Sequence, residues 1–472
     1  MATISANSPA LKALGRTLKG SIHLPRDFGY DKLRTPWLDV VDQHPALIVD
    51  AACAEDVVAA VDFARTERLS FGVMSTGHGI AAPCDGLLLR FTKMNGVSVD
   101  ASRRVATVAP GAVSSDLLKE TEKHQLVYPA GQVGNVGVTG HALGGGIGWL
   151  VRKVGAAANS IVGADVVLAD GSLVRADAEK NPDLFWALRG GGGNFGVVVS
   201  LEIALTPMAD VIGGEMYFPL ERAPELLRFY REWSSTLSSD TSTVFRLLAV
   251  PPAIMSPHEI RGKKVCMIGL CHTEPESRDA VLAPLDALGE PLRTDVKRRS
   301  FASLAGLDPA SHSSGAPAYS QTEYLEALSD DAIDRLAGLA ETMMPPLMQF
   351  EVQQLGGALA SVSRDRGGAF EPPSAPYLVH LVTPAVKASM TEIASATSDA
   401  VTALGDVVTG KKIYNFLRGD EIRRVSDAFS AESFDRLHEI KRRYDPANFF
   451  HLNLNVTPRR RRRLRSRRDD ER

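Results

Sequence analysis

Three groups of residues in this chain have types and spacings suited to chemistry. The first is a glycine-rich stretch, Tyr128 to Arg152, with glycine at 131, 134, 137, 140, 144, 145, 146 and 148. Each glycine gives up a side chain that could have packed and adds backbone entropy that folding must overcome, so the run predicts a tight main-chain bend around something else. Bare amides approach anionic oxygens closely, which is how a turn holds a diphosphate. A second run, Arg189-Gly190-Gly191-Gly192-Gly193-Asn194-Phe195-Gly196, predicts the same. Both point to a large phosphate-bearing cofactor. The second group is the small loop Ser75-Thr76-Gly77-His78-Gly79, with one imidazole at the end of a strand, where cofactors are usually met. The third is Glu351 within Met348 to Leu355, where Gln349, Glu351 and Gln353 alternate with Phe350 and Val352. A carboxylate flanked by two amides on one strand face suits a substrate-facing sheet, although the same pattern also fits a solvated outer face.

The elements that position these residues follow from periodicity. His44 to Asp50 predicts a short apolar strand, and Ala54 to Arg65 a helix with Val57, Val58, Val61 and Ala64 on one face and Glu55 and Asp56 in its first turn. Strands are expected at 70–75, 86–91 and 105–109, and an amphipathic helix from Val113 to His124. Val166 to Ala169, the turn Asp170-Gly171, and Leu173 to Arg175 read as a hairpin. Asn181-Pro182 opens a short helix to Leu188 as cap and first turn, and Val197 to Leu205 is a strand. A boundary falls at Thr206-Pro207. From 208 to 410 longer strands and helices follow one another without a βαβ repeat, which predicts an antiparallel sheet covered by helices on one face. Residues 356–376 read as a loop, and Ile413 to Leu417 as a strand-like stretch ahead of a helix rich in Arg and Glu.

Composition bounds the rest. With 44% hydrophobic and 23% charged residues over 472, the chain is an ordinary globular protein of two or three structural units. No apolar run is long enough for a membrane span and no export signal is visible, so a cytoplasmic protein is expected. Cys53, Cys84, Cys266 and Cys271 lack metal-site spacing and read as reduced thiols; no metal site is expected. The net charge of −3 hides an Arg-rich tail, 459–472, with nine arginines. Such a block reads as a disordered terminus, and nothing in the body adds a basic face for nucleic acid.

Taken together, several ordered stretches carry a resemblance. His44-Pro45-Ala46-Leu47-Ile48, Gly77-His78, Pro129-Ala130-Gly131, Gly140-His141-x-Leu143-Gly144-Gly145-Gly146-x-Gly148, Asn181-Pro182-Asp183-Leu184-Phe185-Trp186, Arg189 to Gly196 and Lys441-Arg442-Arg443-Tyr444-Asp445-Pro446 resemble the FAD-linked oxidases of the berberine bridge enzyme type. Within that family, Tyr324 to Asp330 and Glu351 to Ala358 are similar to bacterial polyketide-tailoring members. The resemblance implies an α+β protein with a two-part FAD-binding domain of the PCMH type, residues 1–207 and 411–458, around a substrate domain, 208–410.

By the same resemblance, His78 bonds the flavin 8-methyl group. The second, cysteinyl link of many relatives falls on Val133, so FAD is expected to be covalent through His78 only. Ser75, Thr76, Gly77, Gly79, Pro129, Ala130, Gly131, Val136, Gly137, Gly140, His141, Gly144, Gly145, Gly146, Gly148, Asn194, Gly196, Val197, Asn415 and Asn453 complete the implied FAD site. Val136 resembles the small residue that leaves space for oxygen above the ring, or it simply packs. Two residues compete as base: Glu351, and Tyr414, which lies one position past the family's tyrosine, here Ile413. Arg246, Tyr319, Tyr324, Gln353 and His380 are further pocket candidates, whereas the family's Thr-Ala-Phe-x-x-Arg stretch is altered to Gly368 to Pro373. The implied activity is hydride transfer from a small or medium organic substrate to FAD and on to O2, with H2O2 released. The alternative is a flavoprotein cyclase or rearrangement catalyst without net oxidation. Oligomeric state is not legible.

Overall fold

A computed structural model of the chain describes residues 4–5, 7–38, 41–79, 81–254, 256–305, 318–361, 367–384 and 390–459. Arg364, Arg366 and the tail from 460 lie outside the described residues. Two main sheets form the first lobe, beside the short antiparallel pair Leu126–Val127 and Thr206–Pro207. In the smaller, strands run in the order Ser21–His23, Leu47–Asp50, Leu87–Arg90, Phe71–Val73, and the last three are mutually parallel. The crossover between the second and fourth of these is the helix Ala54–Thr66. Its first turn is fixed by Asp56, whose carboxylate accepts from the amides of Lys19, Gly20 and Ala52, each at 2.8 Å. That array ties the start of the helix to Lys19 and Gly20, just ahead of the first strand, and to Ala52. The larger sheet is antiparallel, in the order Val97–Asp100, Val105–Val108, Val197–Ala204, Ile161–Val167, Leu173–Asp177. The expected hairpin is there, and so is the helix Pro182–Leu188. Asn181 precedes it without capping it; its amide donates to the Arg175 carbonyl instead.

The second lobe is an antiparallel sheet of eight strands. Its main path is Arg293–Thr294, Val211–Pro219, Lys264–His272, Thr241–Ala249, Gln349–Gln354, Tyr377–Pro384, Ala318–Leu325. One face is covered by the helices Ala223–Thr236, Arg278–Asp286, Asp330–Met343 and Met390–Leu404. Leu226, Tyr230, Trp233, Ile333 and Leu336 there meet Phe245, Ile268, Phe350, Val352 and Val379 from the strands. The opposite face is turned to the first lobe, and Val244, Val265 and Met267 join the same core as Trp149 and Leu150. The single helical layer is as the alternation predicts.

After the sheet, the chain returns to the first lobe. The stretch around Tyr414–Phe416 is a 3-10 turn, where alternation had suggested a strand. The helix Ala431–Tyr444 then packs on Pro182–Leu188. Lys441, fully buried, ties the return: its Nζ donates to the carbonyls of Asn194 at 2.7 Å and Phe450 at 2.9 Å and to Asp445 Oδ2 at 2.7 Å. Among the described residues no helix is long and apolar enough to cross a membrane, and no His, Cys, Asp and Glu cluster could hold a metal.

Candidate active site

The sheet face turned to the first lobe carries one polar row. Cross-strand register sets Tyr217, Met267, Arg246, Glu351, His380 and Thr322 side by side across six strands. Directly paired residues share a face, so these side chains converge. Arg246 is the centre. Its Nε donates to Glu351 Oε2 at 2.6 Å, its Nη1 lies 3.6 Å from Glu215 Oε1, and its Nη2 donates to Gln132 Oε1 across the lobes. Tyr217 donates to the other oxygen of Glu215, and burial beside that carboxylate raises the phenol's pKa. Gln349 donates to Glu351 Oε2 at 3.4 Å. Glu351 is 4% exposed, so this is a buried polar row rather than a solvated face.

Gln132 belongs to the first glycine run, and Gln353, one row along, donates to the Gly148 carbonyl of that run at 3.5 Å. The polar row and the glycine run are therefore neighbours. Beside them stands the loop of His78. Its ring is stacked on Trp37 with centroids 3.9 Å apart, and its Nε2 is buried without a hydrogen bond. Burial, and then the charge of Arg418, hold the imidazole pKa down to about 4, opposed by the Asn135 amide. His141 is likewise lowered to about 4 by burial; its Nδ1 lies 3.2 Å from the Tyr128 hydroxyl.

The other expected site residues divide. Ser75 Oγ and Asn453 Oδ1, together with Asn135 Oδ1 and Thr139 Oγ1 nearby in the chain, are buried without partners. Such atoms are costly unless a ligand completes them. Gly79, Gly140 and Gly193 open onto free space, and a Cβ on Gly137 would press on Ser75 Oγ at 3.1 Å. By contrast, several glycines make room for the chain itself. A Cβ on Gly144 would overlap Asn415 Oδ1, on Gly145 the Phe370 ring, on Gly146 the His141 ring, and on Gly148 the Ala130 carbonyl. Phe370 sits in the altered Gly368 to Pro373 stretch, so that stretch packs onto the glycine runs. Asn415 donates to the His141 carbonyl at 2.8 Å. Asn194 is saturated: its Nδ2 serves the carbonyls of Gly191 and Leu454 and the Tyr414 hydroxyl, and its Oδ1 accepts from Val456 N. Pro129, Ala130 and Gly131 lead into Gln132, Gly131 facing the His141 ring. Gly196 and Val197 start the strand from the second run.

Tyr414 donates to the Leu454 carbonyl at 3.0 Å, packs on Phe429, and is pushed up in pKa by burial. It braces the returning segment. Ile413, 2% exposed, lies in an apolar cluster with Tyr324, Phe370 and Leu378. Tyr324 thus faces the first lobe as expected, and His380 meets Phe416 at 5.0 Å. Tyr319 falls on the other face, against Ile393, because it is one residue out of step with Ser320, Thr322 and Tyr324. Glu215, Gln132, Trp37 and Arg418 were not legible. Only Glu215 carried a signal, the alternation Glu215-x-Tyr217 inside an apolar strand.

Comparison with known proteins adds to this geometry. The FAD binding domain family matches residues 45–177, and the berberine and berberine-like family matches residues 414–457. The chain carries the FAD binding domain and the berberine-like domain of FAD-linked oxidoreductases. The fold brings the two matched segments together where Asn415 donates to the His141 carbonyl. The (R)-6-hydroxynicotine oxidase of Paenarthrobacter nicotinovorans is 27% identical over 473 residues, covering 94% of this chain and 97% of the relative. The solved 6-hydroxy-D-nicotine oxidase of Arthrobacter nicotinovorans superposes with a TM-score of 0.84 at 23% identity, over 96% of this chain and all of the other. A glucooligosaccharide oxidase of Acremonium strictum, described with a 6-S-cysteinyl, 8α-N1-histidyl FAD, gives 0.80 at 22% identity, over 96% of this chain and 100% of its own. The fold is the PCMH-type FAD-binding fold with an antiparallel second sheet. The chain is an FAD-dependent oxidoreductase. The orphaned polar atoms of Ser75, His78, Asn135, Thr139 and Asn453 and the open sides of Gly79, Gly140 and Gly193 fit that cofactor.

Proposed function

We propose that the chain is an oxidase that takes hydride from a small or medium organic molecule, an alcohol, an amine or a polyketide-like skeleton, and returns the electrons to O2 as H2O2. The observation that carries this reading is the buried Arg246–Glu351 pair reaching the cofactor lobe at Gln132. FAD supplies the hydride acceptor when bound. Ser75, Thr139, Asn135 and Asn453 would hold it through their unpaired oxygens, and His78 would bond it covalently. Val133 has no sulfur, so the link is single. Glu351 is the base of this reading. Arg246 and Gln349 both donate to its Oε2, and Oε1 would take the proton from the substrate's O–H or N–H as hydride leaves. Arg246 fixes that carboxylate, and Glu215 and Gln132 fix Arg246. Tyr414 is the weaker candidate because its hydroxyl already serves Leu454 and Asn194. Val136 would leave room for oxygen over the ring. Specialised metabolism is the setting we propose, on the similarity of 324–330 and 351–358 to polyketide-tailoring relatives.

Ile413, apolar where the family has tyrosine, favours a second reading: a cyclase or rearrangement catalyst without net oxidation. Anaerobic mixing with panels of amines and alcohols separates the two. The oxidase bleaches its flavin with a substrate and releases peroxide when air is admitted. Turnover of a substrate with no bleaching would overturn the oxidase reading.

A further inference from the structure

The loop that carries His78 is clamped from two sides. On one side, the amides of Trp37 and Leu38 donate to the carbonyls of Thr76 at 2.9 Å and Gly77 at 3.3 Å. Gly77 has φ +83°, and Pro36 occupies the place of a Cβ at 2.5 Å, so only glycine makes this turn. The Trp37 indole then lies almost parallel to the imidazole, 17° between planes. On the other side, Arg418 Nη1 donates to the His78 carbonyl at 2.6 Å, and its Nε lies 3.4 Å from Ser320 Oγ on the second sheet. Among the described side chains no carboxylate pairs with Arg418, and burial lowers its pKa to about 10, still charged at neutral pH. The titratable and charged groups facing the imidazole are Arg418 from the returning segment and His141 from the glycine run; Asn135 is the neutral polar neighbour.

We propose that Trp37 and Arg418 are positioning residues for covalent flavin attachment at His78: Trp37 fixes the plane of the ring, and Arg418 pins its backbone and places a positive charge beside it. The inference rests on His78 being the attachment point. Attachment replaces one imidazole N–H and one C–H of the flavin 8-methyl group by a C–N bond. The two hydrogens and their electrons pass through the flavin to O2, which leaves as H2O2. Only a neutral imidazole has a nitrogen lone pair to form that bond, which gives the guanidinium beside it a function beyond the hydrogen bond.

The test uses the full chain purified from flavin-limited cells and loaded with FAD in air, with total flavin and denaturation-resistant flavin followed over time at pH 5 and pH 7. The native chain should attach flavin at equal rates at both. Arg418→Gln should bind flavin fully yet attach it about threefold more slowly at pH 5 than at pH 7, because the imidazole regains part of its ordinary basicity. Arg418→Lys should restore the flat profile. Trp37→Leu should slow attachment about tenfold at both pH values through lost orientation, and Trp37→Phe should not. If Arg418→Gln fails to bind flavin, the Trp37 pair decides. Native rates and a flat profile in both Arg418→Gln and Trp37→Leu would overturn the positioning role with the His78 link intact. A native chain whose flavin all dissociates on denaturation would overturn the link itself and this inference with it.

Discussion

Two of the buried ion pairs among the described residues use their partners in opposite ways. Lys441–Asp445 closes the first lobe, and Arg246–Glu351 lies between the lobes. In the first, every partner is spoken for: the ammonium's three hydrogens go to two carbonyls and Asp445, and the carboxylate accepts from the amides of Phe449 and Phe450 as well. In the second, one guanidinium is shared by Glu351, Glu215 and Gln132, with two carboxylates for one cation. A saturated pair is a lock, since removing either member strands the other in a low-dielectric interior. A cation shared among three acceptors holds the carboxylate in place from one side, and a base needs a fixed oxygen turned toward its substrate.

The sharpest way to break this contrast is Lys441→Met, which should cost about 3–5 kcal/mol of stability by leaving Asp445 unpaired. Denaturant melts check it, and a loss below about 1 kcal/mol would mean the lock is ornamental. Acid should probe the same lobe. His141 is held near pKa 4 in the fold against 6.5 ordinarily, so its contribution is whole above pH 6.5 and is lost as pH falls toward 4, by up to about 3 kcal/mol. His141→Asn should make that limb of the stability curve shallower, His78 being lowered over the same pH range; an unchanged limb would assign it elsewhere. On the other side of the contrast, Glu351→Gln should leave the melt and flavin content nearly native while slowing flavin reduction about a hundredfold. Native reduction rates in that variant would remove Glu351 from the base's role. Gln132→Ala should do least, about tenfold in the same rate, because it frees one donor of Arg246 and spares the carboxylate.

The same contrast explains what could be read beforehand. Glycine runs, the His78 loop and the alternation about Glu351 are local patterns, and each survives in the fold. The glycines themselves had a second cause that no local pattern shows: at 144, 145, 146 and 148 they admit Asn415, Phe370, His141 and Ala130 from near and far along the chain. The direction of Tyr414 is likewise set by a 3-10 turn rather than a strand, which turns its hydroxyl to Asn194. Tyr319 shows the cost of register, because one step along its strand turns it to the helical face. Arg418 and Trp37 stand alone in turn-rich stretches, far in sequence from the imidazole they flank. Glu215 is signalled by Tyr217 two residues on, since the spacing puts both on one face of the strand.

A crystal structure of the FAD-loaded chain tests the central claim most directly. The account predicts the flavin ring between the His78 loop and the Arg246–Glu351 row, with Ser75 Oγ, Asn135 Oδ1, Thr139 Oγ1 and Asn453 Oδ1 each satisfied by the cofactor or its waters. Flavin bound elsewhere, with those atoms still unpaired and Glu351 out of reach of the ring, would contradict it.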